Sequence, residues 1–177
     1  VLVFRSVLWL LDSTLVRLRV GGREQVPESG GALLVAPHIS FVDTLALQGS
    51  IDRDIDFVMG KEALETPWMR RIARAMTIIP VDRDKGEAGL AEVSRRIRES
   101  IAMGRLVCVN CEKRLHSEGP DMPWHAGYGC LLEGLDAPIL PVYMSRLWES
   151  LYVFEGGKIR WKWPGRLRFP IWVEFGE

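Results

Sequence analysis

Ala32-Leu33-Leu34-Val35-Ala36-Pro37-His38-Ile39-Ser40-Phe41-Val42-Asp43 is the stretch that decides how this chain reads. Its first five residues form a short unbroken apolar run, the pattern of a strand covered on both faces. Pro37 interrupts that run. Ser40 then suits the N-cap of a helix from Phe41 to about Gln48, because its hydroxyl can accept from a backbone N–H of the first turn. A buried strand passing through a tight loop into a helix is the repeating unit of an α/β sheet. The loop at the strand's carboxyl end is where such sheets usually carry their chemistry.

Outward from that unit, strand-like and helix-like segments alternate. Ile55 to Met59 and Leu106 to Val109 read as strands, and so does Thr77 to Val81, where Pro80 demands an edge or a strand end. Leu90, Val93, Ile97 and Ile101 recur at helical spacing in a helix from Glu87 to Met103, which Gly104 closes. Glu62 to Ala75 is helical in pattern apart from Pro67, and His125 to Leu135 is a weaker helix with two glycines. Ile139 to Tyr143 and Ile171 to Phe175 are further strands. The expected architecture is therefore α/β: a mixed, largely parallel central sheet flanked by helices.

The chain has 177 residues, so one domain over 1–177 is the simplest organisation. With 47% hydrophobic and 26% charged residues it has the material for a sizeable core, which excludes disordered and low-complexity classes. Lys+Arg and Asp+Glu both number 23, so there is no global basic field for nucleic acid, and none is expected as a partner. Three cysteines are too few for a disulfide scaffold, and their odd number favours a reducing compartment.

The first twenty residues, VLVFRSVLWLLDSTLVRLRV, are the most hydrophobic stretch. Arg5, Asp12 and Arg17 interrupt it before the ~20 apolar residues that a bilayer core requires. No small-residue cleavage site follows, so it does not read as a signal peptide. As an N-terminal amphipathic helix it would gather Phe4, Leu8, Leu11, Leu15 and Leu18 on one side. Such a helix either packs on the domain or lies over residues 1–20 at a membrane surface. The chain starts with Val1 and not Met, which reads as part of a longer chain.

Four places carry candidate chemistry. His38 and Asp43 are five positions apart, about 500° around an ideal helix, which leaves them roughly 140° apart. They meet only if His38 sits in the turn before the helix. There Asp43 can fix the imidazole tautomer and leave the other nitrogen as a general base. The plainer reading is a packed or capping histidine, with Asp43 favouring the helix dipole. Next, Arg83 follows the strand ending at Val81, and its fork of donors suits a phosphate. The plainer reading pairs it with Asp82 or Asp84. Third, Asn110-Cys111-Glu112-Lys113-Arg114 follows the strand at Leu106 to Val109. If that strand neighbours the first, all three loops open on one side; otherwise this is a solvated charged loop. Finally, Lys158 to Arg168 holds five cations and two tryptophans without an acid, which suits a lipid headgroup layer, an exposed strand pair with a basic face or, by stacking, a single-stranded nucleic acid. Cys108 and Cys111 have the spacing of a metal or redox pair, but no second pair completes a zinc site and no helix opens at the motif, so no metal is expected.

His38 to Asp43 (HISFVD), Ile78 to Arg83 (IIPVDR), a strand followed by Glu112, and Ile139 to Tyr143 (ILPVY) resemble, in this order, the four blocks of the lysophospholipid (glycerolipid) acyltransferase family, of the 1-acylglycerol-3-phosphate acyltransferase type. The tail from Leu147 to Gly176 further resembles the acyltransferase module of the 2-acylglycerophosphoethanolamine acyltransferase branch. The resemblance implies an O-acyltransferase. His38 would deprotonate the free hydroxyl of a lysophospholipid and Asp43 would stabilise the imidazolium. The acyl group would come from a thioester, either acyl-CoA or acyl-acyl carrier protein, with no acyl-enzyme, no cofactor and no metal. Arg83 would hold the acceptor phosphate; Glu112 and Arg114 would shape the acceptor site, with Ser40 and Lys113 beside them. The implied setting is the cytoplasmic face of a membrane.

Two positions depart from the family's pattern. Pro37 stands where the residue before the histidine is usually Asn, and Lys113 stands where the third block has Gly after its Glu. Glycine permits conformations and close approaches that Lys does not. A catalytically impaired lipid-binding module of the same fold is therefore the competing expectation.

Overall fold

The computed structural model describes residues 16–36, 41–64, 70, 73, 76–110, 134–145, 152–155, 158–161 and 169–176. Nine strands and two helices run in the order β1 (Val16–Gly21), β2 (Ala32–Ala36), α1 (Phe41–Ser50), β3 (Ile55–Gly60), β4 (Ile78–Val81), α2 (Gly86–Ala102), β5 (Leu106–Asn110), β6 (Ile139–Ser145), β7 (Tyr152–Glu155), β8 (Lys158–Trp161) and β9 (Phe169–Phe175) among these residues. Seven strands make one sheet in the order β1-β9-β6-β2-β5-β3-β4, while β7 and β8 pair as a separate antiparallel ribbon. Strands β2 to β6 are parallel to one another. β9 runs against β6, and β1 runs with β9, so the sheet is mixed with a parallel middle.

β2 lies between β5 and β6, which explains its unbroken apolar run. Leu34 and Ala36 face one core with Leu47 of α1, Cys108, Leu140, Val142, Ile171 and Val173. Leu33 faces a second core with Val107, Val109, Val58 and Ile79, closed by Val93, Ile97 and Ile101 of α2. Helices thus cover both faces of the central strands. Pro80 sits in β4, which pairs only with β3 at the sheet's end, the place where a missing N–H is tolerated. At the end of α2, Gly104 adopts φ +77 and its N–H donates to the Ile101 carbonyl at 2.8 Å, while Arg105 N–H reaches the Ser100 carbonyl at 3.1 Å.

The amino-terminal reading needs correction. Residues 16–20, expected to end an amphipathic helix, belong instead to β1, parallel to β9 with Leu18 opposite Ile171. The Val-Arg-Leu-Arg-Val sequence alternates with period two. Leu18 and Val20 pack on the first core, while Arg17 and Arg19 face outward and are exposed. Residues 1–15 lie outside the described part. Gly22 then turns the chain at φ +65, where a Cβ would stand 1.9 Å from the Phe175 carbonyl oxygen, so no other residue fits between the ends of β1 and β9. Of the helix expected over 62–75, the structure describes a 3-10 turn at Lys61–Leu64 and helical backbone at Arg70 and Ala73. The helix expected over 125–135 lies outside the described residues except for Gly134 and Leu135, which are not helical. No helix among the described residues is long and apolar enough to cross a membrane.

The amino-terminal edge of the sheet is tied by charge. Arg53 donates to the carbonyls of Pro27 at 2.6 Å, Gly30 at 2.5 Å and Gly104 at 2.6 Å, joining the turn before β2 to the turn after α2. Asp56 in β3 is buried, and its carboxylate accepts from Ser100 Oγ and from Arg105, whose Nε lies 2.8 Å from Oδ2. Arg105 Nη2 also reaches Thr77 Oγ1 at 3.0 Å.

Candidate active site

Opposite that edge, the parallel strands end together. Ala36 pairs with Asn110, Phe57 with Cys108 and Met59 with Pro80. Followed across the sheet, Ala36, Asn110, Met59 and Pro80 form one row. β2 and β5 stop on it, and β3 and β4 stop one residue beyond. The condition set by the third sequence block is thereby met: the strand before Glu112 is the immediate neighbour of the strand before His38. With strands spaced by about 4.8 Å, the chain leaves β2 and β5 at adjacent points, and β2 and β4 stand about 14 Å apart.

The segments that follow those exits carry the residues singled out in the sequence. His38 and Ser40 belong to the four residues joining β2 to α1, and this connection lies outside the described residues. Asp43 is the third residue of α1, which places its backbone in the helix's first turn; its side chain is not described. Arg83 opens a 3-10 turn, Arg83–Lys85, one residue after β4, and again only its backbone is described. Glu112, Lys113 and Arg114 follow β5 and lie outside the described residues, as does Cys111. Cys108 is buried within β5. Among the described residues no cluster of His, Cys, Asp and Glu forms a metal-binding group.

One charged residue at this edge escaped the sequence reading. Lys61, the first residue after β3, places Nζ 2.7 Å from Asp82 Oδ1 and 2.5 Å from Asp84 Oδ2. The two acids that flank Arg83 are thus partners of Lys61. Its position immediately past a buried parallel strand is the signal that would have found it. The Asp84 N–H donates to Asp82 Oδ1 at 3.2 Å, so one ammonium and one backbone bond shape the turn that carries Arg83. α2 fits closely behind this turn: a Cβ on Gly89 would stand 2.3 Å from the Asp82 carbonyl oxygen, so Gly89 is what lets the helix approach.

The hydrogen bond from Lys61 holds the Asp82 carboxyl below its ordinary value, and the same bond raises the Lys61 ammonium above its own. A carboxylate depressed in the folded state stabilises the fold above its ordinary pKa and loses that contribution as pH falls through the depressed value. Lys61→Met is therefore expected to raise the Asp82 pKa toward the ordinary 3.8, as followed by NMR titration of the side-chain carboxyl. No upward movement of Asp82 would show that the ammonium does not hold this turn in solution.

A family model described as Acyltransferase matches residues 17–145. No curated protein matches the chain. Among solved structures, the crystal structure of the 1-acyl-sn-glycerophosphate (LPA) acyltransferase from Thermotoga maritima is similar, with a TM-score of 0.64 at 16% identity. The match covers 98% of this chain and 64% of that one, so the present chain spans under two thirds of that protein's length.

Proposed function

Since the chain belongs to the acyltransferase family, we propose that it moves a fatty acyl group from a thioester to the free hydroxyl of a lysophospholipid. The observation that carries this reading is the common row on which β2, β5, β3 and β4 end. The segments leaving it contain, in order along the chain, His38 and Asp43, Lys61, Arg83, and Glu112 with Arg114. A base–acid pair and cationic phosphate ligands drawn from loops at one edge are what a phosphate-bearing alcohol requires.

In the proposed reaction His38 takes the proton of the acceptor hydroxyl, and Asp43 holds the ring and stabilises its charge. The alkoxide oxygen attacks the thioester carbonyl, the new ester forms, and the C–S bond breaks. The thiolate recovers the proton from the imidazolium, so no acyl-enzyme, cofactor or metal is needed. Arg83, on the turn ordered by Lys61, holds the acceptor phosphate from the β4 side. Glu112, Arg114, Ser40 and Lys113 border the acceptor. The donor is acyl-CoA or acyl-acyl carrier protein, and the working place is the cytoplasmic face of a membrane.

The test is release of free thiol from each donor on addition of lysophospholipids that differ in headgroup, with the acylated product identified by mass spectrometry. Acceptor-dependent thiol release is the expected result. Lipid binding without thiol release from either donor would favour the non-catalytic module, with Lys113 in place of glycine as its cause.

A further inference from the structure

Not every strand stops at the common row. Val35 pairs with Pro141, so Val142 lies level with Ala36, and β6 continues through Tyr143, Met144 and Ser145 beyond it. β9 and β1 rise with it: Ser145 pairs with Trp172, Trp172 with Arg19, and Pro170 with Arg17. At about 3.3 Å per residue, Arg19 and Trp172 stand roughly 10 Å past the row, and Arg17 further still. Three strands therefore form a wall beside the candidate active site, next to the exit of β2.

The two faces of this wall differ. One carries Leu18, Val20, Val173 and Met144 on the first core, on the side where α1 packs. The other carries Arg17, Arg19, Trp172, Glu174 and Tyr143. α2 covers the same side of the sheet only from β2 to β4. Tyr143 is 63% exposed and Trp172 45%, on strands whose inward residues are buried. The Arg19 guanidinium lies 4.8 Å from the centre of the Trp172 ring, and both arginines are exposed. Aromatic rings with a polar tip, mixed with guanidinium groups, match the boundary between lipid headgroups and acyl chains. Among the described residues of this face, two arginines stand against one acid, Glu174, a positive balance complementary to an anionic lipid surface.

We propose that this wall docks the protein on an anionic lipid surface through Tyr143, Trp172, Arg17 and Arg19, and so sets the strand-end edge against the membrane. The inference deepens the acyl-transfer reading by naming the face that meets the lipid, and it rests on that reading only for the choice of partner. Its readout is binding, so it stands or falls apart from turnover: His38→Ala is expected to bind vesicles as the parent protein does.

The experiment is co-sedimentation of the full chain with phosphatidylcholine vesicles, with and without phosphatidylglycerol. The parent is expected to prefer the anionic vesicles, and added salt should weaken that preference. Arg17→Ala/Arg19→Ala is expected to weaken anionic binding by about thirtyfold, the effect of removing two cations from such a surface. Tyr143→Ser should weaken binding to both vesicle types, and the exposure of these side chains predicts unchanged circular dichroism for both variants. Undiminished binding by the double variant, or no vesicle binding by the parent, overturns the proposal. So does sedimentation of the parent as a dimer that Tyr143→Ser dissociates, which assigns the face to a second copy.

Discussion

His38→Ala is expected to reduce acceptor-dependent thiol release by about 10²- to 10⁴-fold, the range contributed by a positioned general base. An alcohol is a weak nucleophile near neutral pH, and His38 is the only histidine within the four sequence blocks; His116 and His125 lie between the third and the fourth. The variant should fold normally. The two cores formed by the described residues are built from β2, α1, α2 and the neighbouring strands, whose sequences contain no histidine. Asp43→Asn should also lower turnover while sparing acceptor binding, because in the proposed mechanism Asp43 orients the ring and does not hold the phosphate. A correctly folded His38→Ala protein that transfers acyl groups at the parental rate would end the His–Asp mechanism. The row of strand ends would then need another base.

Asp56→Ala should give a large loss of stability, and at a polar residue away from the site. The carboxylate is buried, and it accepts from Ser100 Oγ, Arg105 Nε and Arg105 Nη2. Removing it leaves a buried hydroxyl and a guanidinium without their acceptor. Fully buried pairs broken on one side cost about 3–5 kcal/mol; the Arg105 side chain keeps 35% of its exposure, so a cost of about 2–3 kcal/mol is expected. For a chain of this size that lowers Tm by roughly 5–10 °C. Calorimetry measures the shift, and thiol release per folded molecule should stay near the parent value, because Asp56 lies at the opposite edge of the sheet. A Tm within a degree or so of the parent would show that solvent satisfies Arg105 and Ser100 equally well. Equal loss of turnover and stability would instead couple the two edges.

The elements most legible in the sequence were those whose burial pattern is local. The run at Ala32–Ala36 reads as a doubly covered strand because it is one, and the 3-4-4 spacing of Leu90, Val93, Ile97 and Ile101 reads as a helix face because those residues close the second core. The amino terminus misled for the opposite reason. Leu15 and Leu18 fit a helical stripe, yet the short Arg17-Leu18-Arg19-Val20 stretch fits period two just as well. Over so few residues the pattern does not choose between them. The open place beside β9 decides, since a strand there gains a ladder of backbone bonds and buries Leu18 and Val20.

The candidate site divides in the same way. The chain order by itself determined which residue types follow which strands: His38 and Asp43 after the first buried strand, Arg83 after the Pro80 strand, Glu112 and Arg114 after the Cys108 strand. It determined the α/β class as well, because buried strands alternating with amphipathic helices have few other ways to cover their apolar faces. Only the tertiary structure decided that β5 inserts between β2 and β3, which makes the ends of sequence-distant strands neighbours, and that Lys61 claims the two acids beside Arg83. Only it raised β6, β9 and β1 past the common row with Tyr143 and Trp172 facing outward. Strand order and register depend on contacts between segments tens of residues apart, and hydrophobic period carries no information about which strand will lie beside which.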